Sequence, residues 1–173
     1  MTVRRKRRAL VSVHFYATQI SSVMKTLSSD GDCQEILKRI AALAPGDSAR
    51  WGRMNVCQAL CHMGDAMQVP LGEKRVSETS RLNPLRLTKW AALWWPRNWP
   101  KNFPTRPELD QCRLGIAGGD FEASRQRTMA LLVRLVETDV GGQRHSYFGS
   151  LTRAEWMRWG WLHADHHLRQ FGR

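Results

Sequence analysis

Four prolines, Pro96, Pro100, Pro104 and Pro107, fall within twelve positions of one another, inside a 47-residue stretch (71–117) with no sustained helical or strand periodicity. Proline lacks the backbone donor and clashes with the preceding turn, so within this stretch the segment PRNWPKNFPTRPEL, 96–109, cannot be a regular helix or an inner strand. It is too long for an ordinary loop and reads as a functional segment or a crossover lying against the rest of the fold. Its first part, PLRLTKWAALWW from Pro84, is predicted to form a short helix with proline in the first turn. The chain is thereby divided into two helical pairs joined by one long connection.

On either side the apolar residues recur at helical spacing. The first helix is expected to begin at Asp32, with Glu35 three residues on as a capping pattern, and to bury Ile36, Leu37, Ile40 and Leu43 before Pro45-Gly46. The second has Asn55 as N-cap, a stripe of Val56, Leu60, Met63 and Met67, and stops at Pro70 and Gly72. The third follows Gly118-Gly119 with Asp120 as N-cap, carries Met129, Leu132, Val133, Val136 and Val140, and is expected to end at Gly141-Gly142. The fourth opens on a capping box, Thr152 and Glu155, and aligns Trp156, Trp159, Gly160, His163, His167 and Phe171 on one face. No alternating strand pattern of useful length and no internal repeat is present. The fold class is therefore all-α, a four-helix bundle whose long Pro/Trp-rich crossover lets helices two and three lie parallel.

The domain is expected to span residues 24–173. Residues 1–23 read as a basic arm, Arg4, Arg5, Lys6, Arg7 and Arg8 with no acidic residue, either disordered or upstream of a functional start at Met24. The net charge is +12, from 27 basic and 15 acidic residues; removing the five basic residues of the arm leaves +7. The remaining charge is scattered, mostly arginine, with no run to track a phosphate backbone, so no nucleic-acid partner is expected. No stretch reaches the ~20 apolar residues of a membrane span. Cys33, Cys57, Cys61 and Cys112 contain no Cys-x-x-Cys pair; Cys57 and Cys61 leave the same helix and make a poor disulfide, so reduced cysteines and a cytoplasmic location are expected.

The chemistry sits in the histidines. His163 and His167 are four apart, which stacks their imidazoles on one helical face. This is the histidine half of the zincin pattern, but Ala164 stands where that motif has its glutamate, which disfavours a zincin protease. A catalytic zinc usually takes three protein ligands and leaves one position open. His62 is the natural third, with Ala59 at i−3 and Ala66 at i+4 leaving room beside it; Gly160, at i−3 of His163, is expected to do the same. Alone, His62 reads more readily as a hydrogen-bonded core residue than as a ligand. His166, at i+3 from His163, is an alternative to His167, otherwise turned aside as a supporting or surface group. Gln58, one turn before His62, is a candidate for orienting a bound water or ligand; Asp65 and Asp165 read as structural, and His145 as a residue of the bundle mouth or the surface.

The stretches WGRMNVCQALCH, ending at His62, and HADHHLRQFG, from His163, resemble the DinB/YfiT-like superfamily, and WPRNWPKNFPTRPEL with FGSLTRAEW resembles one branch of it. The resemblance covers roughly Met24 to the C-terminus. It implies an up-down-down-up four-helix bundle with His62, His163 and His167 as ligands of one divalent metal ion. It also implies a small-molecule substrate, with activities such as thiol-dependent S-transfer using a low-molecular-weight thiol, or metal-dependent hydrolysis. Three imidazoles leave the ion its full charge, enough to acidify a water or stabilise a thiolate, and as borderline ligands they admit Zn, Ni or Fe. The other reading is a metal-binding or dimerising module, a homodimer without catalysis. Of the eight tryptophans, Trp90, Trp94, Trp95 and Trp99 cluster in the crossover, where packing onto the bundle, an aromatic pocket wall and a membrane-surface contact are the three readings, in that order of weight.

Overall fold

The computed structural model describes residues 24–79, 84–95, 98–114 and 119–173; the basic arm 1–23 and Gly118 lie outside them. In chain order the elements are α1 (Asp30–Ala41), α2 (Val56–Gln68), α3 (Pro84–Leu87), α4 (Lys89–Trp94), a 3-10 turn (Pro107–Leu109), α5 (Phe121–Glu137), a two-residue hairpin β1 (Arg144–His145) and β2 (Gly149–Ser150), and α6 (Arg153–Gln170). The fold is mostly helical, and no helix of the described residues is long and apolar enough to cross a membrane.

Three of the four expected caps are in place. Asn55 and Gln58 close a reciprocal capping box on α2, Thr152 and Glu155 do so on α6, and Asp120 accepts from Glu122 N and Ala123 N at the start of α5. The first helix differs. Its N-cap is Ser29, whose side chain accepts from Asp32 N, and Asp32 sits inside the first turn, where its carboxylate accepts from Thr26 N. A serine satisfies the free donor as well as an aspartate, and an aspartate in the first turn still suits the helix dipole. At the other end of α5 the helix stops at Glu137, before Gly141-Gly142, because Thr138 is already extended.

The core takes in much of the expected stripes: Ile36, Ile40 and Leu43; Val56, Leu60, Met63 and Met67; Leu132 and Val140; and Trp156, Trp159 and Phe171. Met157, Leu162 and Leu168 of α6, outside the expected stripe, are buried as well. Burial of each such side chain contributes about 1.5–3 kcal/mol. Val133 is exposed, and Leu131 and Leu135 are buried instead, so the inward face of α5 is rotated slightly from the one read in the sequence.

The helix contacts follow a simple order. Between α1, with the segment leading into it, and α6, Leu27 N donates to Met157 O and Arg39 pairs with Asp165. Between α2 and α5, Cys57 meets Ser124, Thr128 donates to Leu60 O, and Glu73 beyond α2 pairs with Arg134. In both pairings the residue numbers rise together. Between α2 and α6 they run oppositely: Trp51, ahead of α2, meets Gln170, while His62 meets His163. Gly160 serves the first of these contacts. A Cβ there would stand 2.7 Å from Leu27 Cδ1, so the glycine admits Leu27 rather than freeing space for His163.

Candidate metal centre

His62 projects from the middle of α2, and His163 and His167 from successive turns of α6. All three are buried, at 4%, 8% and 7% exposure. Their ligand atoms lie within 4.8 Å of one another. The rings form a tight triangle, with centroids 5.0 Å (62–163), 4.6 Å (62–167) and 4.8 Å (163–167) apart. Nε2 of His62 is 3.1 Å from Nε2 of His163. Two nitrogens on one tetrahedral zinc, each at ~2.0–2.1 Å, would be ~3.3–3.4 Å apart.

The hydrogen bonds around the triangle fix two tautomers. His62 Nδ1 lies 2.9 Å from the carbonyl of Leu109; a carbonyl only accepts, so Nδ1 carries the proton and Nε2 presents a lone pair. His167 Nδ1 lies 3.2 Å from Gln170 Oε1, and the Gln170 amide is oriented by its Nε2, which donates to Trp51 O at 2.6 Å. His167 Nδ1 is therefore also protonated. Such partners hold ligating histidines in place in metal proteins. His163 is steadied by Trp159, which stacks on it at 4.7 Å and 13°. Its Nδ1 is buried with no hydrogen-bond partner among the described residues. The lone pair of His62 Nε2 thus points at His163 Nε2, an arrangement that needs a proton or a cation between them. The donor set fits a divalent ion.

Electrostatics favour neutral rings. Burial pushes His62 below its ordinary value, against the Leu109 hydrogen bond. Burial, and then the neighbouring histidines, hold His163 and His167 well below theirs. Neutral imidazole is the ligating form.

The other candidates fall into different roles. Gln58 is held in the α2 capping box, its Oε1 accepting from Asn55 N. Asp65 is a buried ion-pair hub: Oδ2 accepts from Lys74 at 2.6 Å and Gln111 at 2.9 Å, and Oδ1 from Arg127 at 2.9 Å. Asp165 faces α1, pairing with Arg39 and with Arg169. His145 is not on the surface. It is buried at β1, stacked on Phe148 at 4.7 Å and 18°, with Nδ1 accepting from Tyr147 N and Phe148 N. His166 is not in the ligand cluster and is not a surface group either: it is buried at 9% exposure, edge-on to Trp51 at 6.0 Å, and its Nδ1 has no partner among the described residues. The sequence reading missed Leu109 and Gln170. Gln170 had a signal, lying at i+3 from His167; the Leu109 carbonyl had none.

Two cavities flank His166. A chamber of about 260 Å³ is bordered by Trp99, Phe103, Phe148, Trp159 and His163, and a more polar cleft of about 200 Å³ by Trp51, Arg53, Asp110, Cys112 and His167. His166 and Phe103 line both. Within the crossover, Trp94 and Trp99 pack against the core, while Trp90 and Trp95 stay exposed.

Residues 108–173 are similar to a family described as "Protein of unknown function (DUF1569)". That stretch holds α5, the hairpin and α6 with His163 and His167, but not His62. No curated protein and no solved structure matches the chain.

Proposed function

We propose that the protein is a metal-dependent enzyme in which His62, His163 and His167 hold one divalent ion, Zn, Ni or Fe, and which performs thiol-dependent S-transfer or hydrolysis on a small molecule. The observation that carries this reading is the inward-facing Nε2 of His62, fixed by Leu109 and lying 3.1 Å from Nε2 of His163. Structural zinc sites are closed by four protein ligands, whereas catalytic sites use three and keep a position open. Here three histidines converge and a chamber opens on one of them, which favours catalysis over a module without turnover.

The contact order supports the up-down-down-up four-helix bundle of the DinB/YfiT-like resemblance. Numbers rise together across α1/α6 and across α2/α5 and run oppositely across α2/α6. The long crossover is what lets α2 and α5 share a direction.

An ion in this site supplies Lewis acidity, lowering the pKa of a thiol or a water. The chain supplies the rest. Leu109 and Gln170 keep the ring protons outward, Trp159 holds the plane of His163, and the crossover residues Trp99 and Phe103 border the chamber beside His163.

Elemental analysis of the purified full chain tests the site. The expected result is about one first-row metal per chain, lost in His62→Ala and in His163→Ala while the helical circular dichroism persists, because the apolar stripes supply a core without the ion. A metal-free protein after growth and dialysis with Zn, Ni and Fe would overturn the reading. Consumption of a low-molecular-weight thiol with a panel of electrophiles, and ester hydrolysis, then separate the two reaction classes.

A further inference from the structure

The chamber beside His163 is unusual in what it lacks. Protein interiors close up to leave few voids larger than a water, and this chain has eight tryptophans with which to fill space. Yet two alanines, Ala66 of α2 and Ala92 of α4, face a space of about 260 Å³ walled by Trp99, Phe103, Phe148 and Trp159. A dry apolar cavity of roughly 150 Å³ already accepts a benzene ring.

We infer that this chamber is the pocket for an uncharged, planar aromatic ligand of up to two fused rings bearing one hydrogen-bonding group. The inference deepens the metal-enzyme reading and rests on it for the claim that the ligand is the substrate. Three features set the ligand class. The walls are aromatic and already arranged in stacked and edge-to-face pairs, His145 on Phe148 and Phe103 against Tyr147 (5.4 Å, 75°), the geometry in which a further ring is accommodated. The polar part is small: His163 and His166, each more than nine-tenths buried, border the chamber, and the Nδ1 of each has no hydrogen-bond partner among the described residues. His163 Nε2 is engaged with His62, and His166, outside the ligand cluster, lines the cleft as well, so a ligand group reaching His166 stands between the two cavities. Finally, charge is sparse around the chamber. Arg106 is the one formally charged residue on its border, and its guanidinium donates to Ser77 and lies in the field of Glu108, whose carboxyl is held below the ordinary range chiefly by Ser77 and to a smaller extent by Arg106. An unpaired buried carboxylate would be costly there.

The test titrates the full chain with 2-naphthol by calorimetry, with zinc and with chelator, and with 2-naphthoate and naphthalene as comparisons. The expected result is one 2-naphthol per chain, bound at least about tenfold more weakly by Ala92→Phe, which fills the chamber. His166→Phe should weaken 2-naphthol about fivefold, the value of one hydrogen bond, and leave naphthalene unchanged. 2-Naphthoate should bind more weakly than 2-naphthol. Nuclear Overhauser contacts from the naphthol ring to Trp159 and Phe148 in the wild-type chain decide the matter if Ala92→Phe does not fold. Absence of binding, contacts elsewhere, an unchanged affinity in folded Ala92→Phe, or preference for naphthoate would each overturn the inference. Metal content of the same samples separates the two readings. A chain that loads an ion and ignores 2-naphthol loses only the chamber, and a chain that binds 2-naphthol and no ion loses only the metal centre.

Discussion

Gln170 joins His167 to the loop ahead of α2: its Oε1 accepts the Nδ1 proton of His167 at 3.2 Å, and its Nε2 donates to Trp51 O at 2.6 Å. The next residue of that loop, Gly52, has φ +82°, and a Cβ there would collide with Gln170 Nε2. The glycine is therefore needed twice, for a left-handed backbone and for the approach of the amide. One hydrogen-bonded chain thus sets His167 on α6 from a loop some 120 residues earlier in sequence.

Gln170→Leu keeps the volume and removes the acceptor. Loss of such an outer partner usually lowers metal affinity by about 10–100-fold. Zinc competition against a chromophoric chelator should show a loss of that order in Gln170→Leu, with recovery in Gln170→Glu, which retains an acceptor. Wild-type affinity in Gln170→Leu would remove Gln170 from the site.

Asp65 is predicted to matter for stability rather than turnover. Removing one partner of a buried ion pair costs about 3–5 kcal/mol. Arg127 and Lys74 are partly exposed and solvated, which reduces the expected cost of Asp65→Ala to about 2 kcal/mol. Burial alone would raise the Asp65 carboxyl, but hydrogen bonds from Lys74, Arg127 and Gln111 outweigh it and hold it below its ordinary value. Its contribution is thus present above the unfolded value of ~3.9 and lost as pH falls through the folded one. Urea midpoints at pH 7 and pH 3 should differ more for wild type than for Asp65→Asn.

The sequence carried the helices because each has a periodic stripe and most have a cap made by neighbours in the chain. Asn55–Gln58 and Thr152–Glu155 are three residues apart, and such local chemistry is visible in one dimension. The histidine pair on α6 was legible for the same reason, since His163 and His167 are one turn apart. His62 was not fixed by spacing, because its meeting with His163 spans 101 residues and depends on how α2 docks on α6. For His145 and His166 the surface stays open as an alternative in the sequence, because nothing local reveals a roof; the structure buries both. His145 is buried by its hairpin neighbour Phe148 with Trp156 and Trp159, and His166 lies against Trp51 and Trp99, contacts that join separate parts of the chain. Gly160 was misread in kind: its small size is visible, but the partner it admits, Leu27, lies 133 residues away.

The hairpin histidine offers a pH signature independent of the metal. His145 is buried among Phe148, Trp156 and Trp159, with Nδ1 accepting two backbone N–H groups, and burial lowers its pKa to about 3. The folded value lies below the unfolded value of ~6.5, so between these limits the unfolded chain takes up a proton that the native chain refuses. Stability contributed by the neutral ring is therefore complete above ~6.5, falls as pH drops, and is fully lost near the folded pKa. At pH 5 the loss from this one group is about 2 kcal/mol, with a slope approaching 1.4 kcal/mol per pH unit. His145→Asn keeps an acceptor for Tyr147 N and Phe148 N and removes the titration. Unfolding free energies measured in chelator from pH 7 to pH 4.5 should fall less steeply for His145→Asn than for wild type, by about one proton. Parallel curves would mean that the imidazole charges in the folded chain and that the hairpin does not seal it from water.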